Sequence, residues 1–167
     1  VNFSVIDRET VLSKAKQIKD SVELEDGEVL PNVYLIHGDL TDKELSSLYN
    51  HDKVKAHITF TKGEGFGRPL LEASLTGKPV IAPGWSGHMD FLNPEQAILL
   101  GGELEDVHPS AQWDTILIEG AKWMSIDPNM AATAMVEAFR NYKPWRAKAN
   151  KLAKANKSNF NYKKIRS

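Results

Sequence analysis

The chain has 167 residues, of which 41% are hydrophobic and 26% are charged, with a formal net charge of -1. Such a composition is typical of a globular protein long enough to form one domain. The absence of cysteine excludes disulfides, cysteine nucleophiles and cysteine-ligated zinc in this chain. It also favours a reducing compartment, so the sequence predicts a cytoplasmic location. The sequence contains no run of 18 apolar residues, so no membrane-spanning helix is predicted.

The charges are distributed unevenly along the chain. All 22 acidic residues and 11 of the basic ones lie in 1–139, whereas 140–167 holds 10 basic residues and no acidic one. This split indicates an acidic body with a basic C-terminal arm. The favoured interpretation of the arm is a solvated helix face that packs on a further domain, and the alternative is peripheral contact with anionic lipid. No nucleic-acid partner is predicted.

The first part of the chain predicts two helices on either side of a strand. A helix, an acidic loop, a buried strand and a second helix are predicted over 9–20, 21–31, 32–37 and 41–49. Gly38 closes the apolar run of the strand. Thr41 and Glu44 have the spacing of a capping box, which places the start of the second helix.

The rest of the chain predicts three further strands and three further helices. They are the strands 55–60, 79–82 and 97–100 and the helices 68–76, 128–140 and 143–157. Pro69 suits the first turn of the third helix, and Gly77 suits its C-terminal end. No element is predicted over 103–126. Because strands alternate with helices at short spacing, the predicted fold is α/β, with a Rossmann-like parallel sheet and helices on both faces.

A glycine-rich loop, Thr61 to Gly67, follows the second predicted strand and leads into the third helix. Backbone N–H groups and the helix dipole point outward at such a junction, which makes it a candidate anion site, usually for phosphate. The backbone donors would be Gly67, Arg68 and Leu70. The spacing of the glycines matches neither a Walker A loop nor a dinucleotide fingerprint. A tight turn without a ligand is the alternative.

Two carboxylates flank this loop. Glu64 lies within it, and Glu72 lies about one turn inside the helix, about 6 Å from the start at about 1.5 Å per residue. A nucleotide diphosphate-sugar carries hydroxyl groups on both sides of its phosphates, and carboxylates accept paired hydrogen bonds from neighbouring hydroxyls. The pair therefore indicates a site for such a molecule. The simpler alternatives are a helix-dipole partner for Glu72 and a solvated loop acid for Glu64.

The segment EGFGRPLLEA, from Glu64 to Ala73, resembles the E-x7-E signature of retaining glycosyltransferases with the GT-B fold, the glycosyl transferases group 1 family. Other parts of the family's pattern occur in the same order, at 33–38, 44–49, 77–82 and 86–90. Asp90 stands where the last of these motifs has Glu. The resemblance covers about residues 32–92.

The resemblance implies the donor-binding half of an enzyme that transfers a sugar from a nucleotide diphosphate-sugar, with retention, to a glycan, lipid or protein acceptor. The donor would be UDP- or GDP-linked, with no metal and no further cofactor. By resemblance, Glu64 is the catalytic residue against the donor sugar, and Glu72 holds the ribose hydroxyls. The other donor-binding residues implied are Gly38, Asp39, Leu40, Gly65, Phe66, Gly67 and Arg68. Further cleft residues are Thr61, Lys62, Gly87 and His88.

The chain also departs from the family's pattern in other ways. Arg68 replaces an aliphatic residue, and either pairs with phosphate or is a surface cation. The Arg and Lys that neutralise the diphosphate in this family have no counterpart. Because the chain does not begin with Met, it is expected to be a piece that lacks the N-terminal acceptor domain and is inactive alone. The predicted organisation is a leading helix and loop, a nucleotide-sugar-binding domain and a basic tail, over 1–30, 31–140 and 141–167.

Two other classes of function stay open. One is a nucleotide-sugar epimerase or a phosphorylase on the same architecture, because a fold does not fix a function. The other is a non-catalytic binding module that uses the basic arm, which predicts salt-sensitive binding to polyanions.

Overall fold

The computed structural model describes residues 5–112 and 117–161. In these residues the helices are α1 (Val5–Ser21), α2 (Asp42–Asn50), α3 (Arg68–Ser74), α4 (Pro128–Arg140) and α5 (Tyr142–Asn159). The strands are β1 (His57–Ile58), β2 (Val80–Pro83), β3 (Ile98–Leu100), β4 (Glu103–Asp106) and β5 (Lys122–Ser125). The chain divides into two compact units, Val1–Leu45 and Ser46–Ser167. None of the helices in the described part of the chain is long and apolar enough to cross a membrane.

The first unit has no buried side chain among residues 7–45. The prediction of a buried strand over 32–37 is wrong, because this segment has no regular secondary structure and Val33 and Tyr34 are 81% and 84% exposed. A strand needs a neighbour that pairs with its N–H and C=O groups, and the described part of this unit contains no other strand.

The predicted capping box at the start of α2 is confirmed. The Glu44 carboxylate accepts hydrogen bonds from the backbone N and the Oγ1 of Thr41, at 2.9 and 2.7 Å, and the Glu44 N–H donates to Thr41 Oγ1 at 3.3 Å. These bonds hold the pKa of Glu44 below its ordinary value. They provide partners for N–H groups that the first turn of a helix leaves without one.

The second unit contains a three-stranded parallel sheet in the order β1-β2-β3, which confirms the predicted α/β class with its Rossmann-like parallel sheet. β1 covers two residues, 57–58, and is shorter than the predicted strand over 55–60. Backbone hydrogen bonds extend its pairing, because the Thr59 N–H donates to the Ile81 carbonyl at 3.0 Å and the His57 N–H donates to the Pro79 carbonyl at 2.9 Å.

Helices cover both faces of this sheet, because successive residues of β2 point to opposite sides. On one face, Val80 and Ala82 pack with α3 and α5 in a core whose other members are Leu70, Ala73, Phe91, Leu92, Ala97 and Leu152. On the other face, Ile81 packs against α4 in a core whose other members are Ile98, Leu100, Ala131, Ala134 and Ala138. The predicted two-sided arrangement is confirmed, and the C-terminal end of the sheet adjoins the glycine-rich loop.

An antiparallel hairpin of β4 and β5 lies in the region for which the sequence predicts no element. All four residues of β4 are exposed, so the strand has no buried face that would give an alternating hydrophobic pattern. The hairpin adjoins the glycine-rich loop, because the Met124 N–H donates to the Lys62 carbonyl at 2.9 Å.

Two buried polar side chains connect the helices of the second unit. Lys78 Nζ donates to the carbonyls of Tyr49 and His51, both at 2.7 Å, and thereby caps the C-terminal end of α2. Asn156 Nδ2, on α5, donates to Ser74 Oγ at 2.8 Å and to the Phe91 carbonyl at 3.2 Å. α3 ends at Ser74, two residues before the predicted end at 76.

His57 makes the stability of the second unit dependent on pH. Its Nε2 is buried and has no hydrogen-bond partner in the described residues, so a proton on this atom would be poorly solvated. Burial, and then the positive charge of Lys78, lower the pKa of His57 below its ordinary value of 6.5. The folded state therefore favours neutral His57. This contribution is fully present above pH 6.5 and is lost as the pH falls from there through the lowered pKa.

We expect the thermal midpoint to fall less between about pH 7 and pH 5 in His57→Gln than in the unsubstituted chain. The exposed His51 provides the control, and His51→Gln should retain the steeper dependence. Equal slopes in the two variants would contradict this assignment.

Candidate functional site

The glycine-rich loop, Thr61 to Gly67, connects β1 to α3 at the C-terminal end of the parallel sheet. Gly67 is left-handed, with φ 82° and ψ 46°, and it is the N-cap of α3 without a side-chain cap. Its carbonyl accepts hydrogen bonds from the N–H groups of Leu70 and Leu71, at 2.9 and 3.1 Å. Leu70 is therefore not a backbone donor for an anion, so this part of the prediction is wrong. Gly67 and Arg68 remain as the predicted backbone donors.

Ser86 holds the loop from the next strand end. The Glu64 N–H donates to Ser86 Oγ at 3.0 Å, and Ser86 Oγ donates to the Glu64 carbonyl at 2.5 Å. Ser86 has φ 78° and ψ -168°, and in the residues that the structure describes it is the one non-glycine residue with a positive φ. Such a conformation is strained, and strained residues tend to cluster at functional sites. Both backbone groups of Glu64 are thus fixed, while its side chain is half-buried.

Gly87 lies so close to the loop that no other residue fits there. Its N–H donates to the Glu64 carbonyl at 3.0 Å, and a Cβ added at Gly87 would overlap the carbonyl oxygen of Gly65. A Cβ added at Gly65, in contrast, would have nothing within 4 Å. The two loops thus pack backbone against backbone, and Gly65 leaves one side of the contact open.

His88 is fully buried directly behind Gly67. A Cβ added at Gly67 would lie 3.0 Å from the His88 Cβ. The ring contacts the Pro83 carbonyl through Nε2 at 2.6 Å, and Nδ1 is buried with no partner in the described residues. Because a carbonyl oxygen accepts a hydrogen bond, Nε2 is the donor in this contact. The structure therefore places His88 beneath the loop rather than on an open surface.

The first two loop residues face the hairpin and the sheet. Lys62 Nζ lies 4.2 Å from the centroid of the Trp123 ring and 4.0 Å from Glu105 Oε2. The Oγ1 of Thr61 is buried without a partner in the described part of the chain. Lys62 is thus held by the β4–β5 hairpin.

Arg68 and Glu72 form an ion pair along α3, with 2.7 Å between Arg68 Nε and Glu72 Oε1. The spacing of four residues brings the two side chains to neighbouring positions on the helix surface. The observed pairing differs from the predictions, which give Arg68 a phosphate or solvent and Glu72 the ribose hydroxyls, although the spacing of four is visible in the sequence. Glu72, which the resemblance implies as the ribose ligand, is thus paired with Arg68, which directly follows the glycine-rich loop.

Phe66 fixes the loop through a cluster of three aromatic rings. Its ring centroid lies 5.3 Å from that of Phe91 and 6.0 Å from that of Phe160, and the latter two rings are 6.0 Å apart. The sequence interpretation included Phe66 but missed Ser86, Phe91 and Phe160. The signal for Ser86 was its position just before Gly87. Phe91 directly follows the motif at 86–90, but neither Phe91 nor Phe160 had a local signal for contact with Phe66.

Gly38, Asp39 and Leu40, which the resemblance implies as donor-binding residues, belong to the first unit and are exposed there. Their contribution to a common pocket stays a prediction. No group of three or more His, Asp or Glu side chains with the arrangement of a metal site occurs in residues 5–112 and 117–161. No family model matches the sequence, and a search of curated proteins found no match.

Proposed function

We propose that the second unit binds the diphosphate portion of a nucleotide diphosphate-sugar and is the donor-binding domain of a retaining glycosyltransferase. The observation that carries the proposal is the glycine-rich loop at the C-terminal end of β1, held by Ser86 and packed on Gly87. In open α/β sheets, ligands bind in the crevice beyond the carboxyl ends of the strands. The two loops that pack together here belong to the motifs at 64–73 and 86–90, which resemble those of the family and occur in the same order.

The rigidity of the loop suits the proposed chemistry. Transfer of a sugar requires that the departing diphosphate be stabilised as negative charge develops on it. Fixed backbone donors do this without reorganising during the reaction. The hydrogen bonds to Ser86 and the ring contacts of Phe66 hold the backbone of Glu64 to Gly67 in one conformation. In the proposed mechanism, the Glu64 carboxylate orients the sugar and stabilises positive charge on its ring, and the loop N–H groups meet the leaving diphosphate.

The ion pair of Arg68 and Glu72 gives the nucleotide two groups at once. Glu72 accepts hydrogen bonds from the ribose hydroxyls, which contributes binding energy remote from the reacting bond. Arg68 directly follows Gly67 at the start of α3, and its guanidinium can pair with phosphate oxygens. Lys62 lies near the other end of the loop, beside Trp123 and Glu105, so we assign the attraction for the diphosphate to Arg68, which adjoins the proposed N–H donors.

Calorimetric titration of the chain with UDP, GDP and ADP and with their sugar conjugates tests the proposal. We expect one nucleotide to bind with a micromolar to millimolar dissociation constant. Glu72→Gln removes the negative charge of the group that accepts hydrogen bonds from the ribose hydroxyls. Arg68→Gln removes a charge-assisted hydrogen bond to the phosphate. Each is expected to weaken binding by about tenfold or more.

The exposed Glu95 provides the matched control, because Glu95→Gln removes the same charge outside the loops of the candidate site. Its affinity should equal that of the unsubstituted chain. Binding that Glu72→Gln and Glu95→Gln leave equally unchanged would contradict the proposed site. The absence of binding to all the nucleotides at millimolar concentration would contradict the proposed function and would shift the weight to a non-catalytic module.

A further inference from the structure

Helix α5 carries six basic residues and no acidic one. Two of the six have contacts within the second unit: Arg146 Nη1 donates to the Thr76 carbonyl at 3.2 Å, and Lys148 Nζ lies 4.0 Å from the centroid of the Trp145 ring. The other four side chains are exposed, and among the residues that the structure describes they have no ion-pair partner. These four are Lys143, Lys151, Lys154 and Lys157.

The four lysines share one side of the helix. At 3.6 residues per turn they fall within an arc of about 120°. The buried residues of the helix lie on the opposite side, and they are Ala149, Leu152, Ala153 and Asn156. From Lys143 to Lys157 the row is about 21 Å long, at about 1.5 Å per residue. We call these four side chains the lysine face.

We propose that the lysine face is a docking surface for a membrane that contains anionic lipid. The charge of the face is complementary to such a membrane, and the buried side of α5 is fastened to the second unit by Asn156 and Leu152, so the charges are held in a row on a rigid support. Each lysine near an anionic leaflet strengthens binding by about fivefold. This inference does not depend on the donor site.

Two features favour lipid over nucleic acid. The face consists of lysine, which attracts phosphate as a point charge, rather than of arginine, whose planar fork suits recognition of nucleic acid. The aromatic residues of α5, Tyr142 and Trp145, are half-buried on its inner side, so no ring on the face is available to stack with a base.

Cosedimentation of the chain with lipid vesicles tests the proposal. We expect binding to phosphatidylcholine vesicles that contain about one third phosphatidylserine, no binding to phosphatidylcholine alone, and release by about 0.5 M salt. Replacement of all four lysines by glutamine should weaken binding at least about a hundredfold. Replacement of the same four by arginine should leave it within about twofold, because the charge is retained.

The matched control removes four positive charges elsewhere. Lys14, Lys16, Lys19 and Lys53 are exposed outside α5, and their replacement by glutamine should leave binding unchanged. Circular dichroism checks that each variant is folded. If the glutamine variant is not folded, vesicle binding by the arginine variant is compared with that of the unsubstituted chain instead. The proposal is overturned if the unsubstituted chain does not bind anionic vesicles, or if the control loses as much binding as the glutamine variant. Tighter binding to a short duplex DNA or single-stranded RNA than to the vesicles would also overturn it and would assign the face to nucleic acid.

Discussion

Gly87→Ala is expected to destabilise the second unit by about 3 kcal/mol and to abolish nucleotide binding. The added methyl group would overlap the carbonyl oxygen of Gly65, which is backbone and cannot turn away. The contact between the two loops must then open, which also breaks the hydrogen bond from the Gly87 N–H to the Glu64 carbonyl. Thermal unfolding measures the first effect, as a fall of about 10 °C in the midpoint. Calorimetric titration with the nucleotide that binds measures the second.

Gly101→Ala is the control for this substitution. A Cβ at Gly101 would have nothing within 4 Å, and the residue is exposed. Its thermal midpoint should stay within about 2 °C of the unsubstituted chain. If Gly87→Ala were as stable as Gly101→Ala and still bound nucleotide, the close packing of the two loops would not be required for either property.

Ile81→Ala is expected to cost about 4 kcal/mol of the free energy of unfolding of the second unit. Ile81 is fully buried in the central strand, and it packs between β3 and α4. Removal of three carbon atoms there loses their transfer free energy and leaves a cavity that the two neighbouring elements cannot fill. Chemical denaturation should show a lower midpoint with an unchanged slope.

Ile58→Ala makes the same chemical change at the directly paired position. Ile58 is the register partner of Ile81 on β1, but it is 45% exposed. Its replacement should cost less than about 1 kcal/mol, since the truncated side chain leaves an opening to solvent rather than a closed cavity. Similar losses in the two variants would show that burial does not determine the contribution of these residues.

Local signals were sufficient to predict the long helices. α4 begins where predicted because Asp127 accepts a hydrogen bond from the Asn129 N–H and Pro128 occupies the first turn. The segment 32–37 shows the limit of such signals, since its apolar run resembles a strand but finds no partner strand in the first unit. Strand formation depends on a neighbour, which a single stretch of sequence does not reveal.

The glycine-rich loop was predictable for the same local reason, because its glycines stand between a strand and a proline-initiated helix. The side chain that fixes this loop, however, could not be predicted. Ser86 is 22 positions from Glu64, and its hydrogen bonds to Glu64 depend on a strained backbone that no propensity predicts. The hairpin of β4 and β5 was missed because the exposed residues of β4 show no alternation.

The central position of β2 determines how the second unit loses its structure. The strand is paired along both edges, and its alternate side chains belong to the cores on the two faces of the sheet. Neither core can open while β2 stays in place, because the opening of either core would expose one side of this strand to water. Partial opening is therefore expected only in segments outside the strand, and the amide protons of residues 80–82 should exchange with solvent only when the whole unit unfolds.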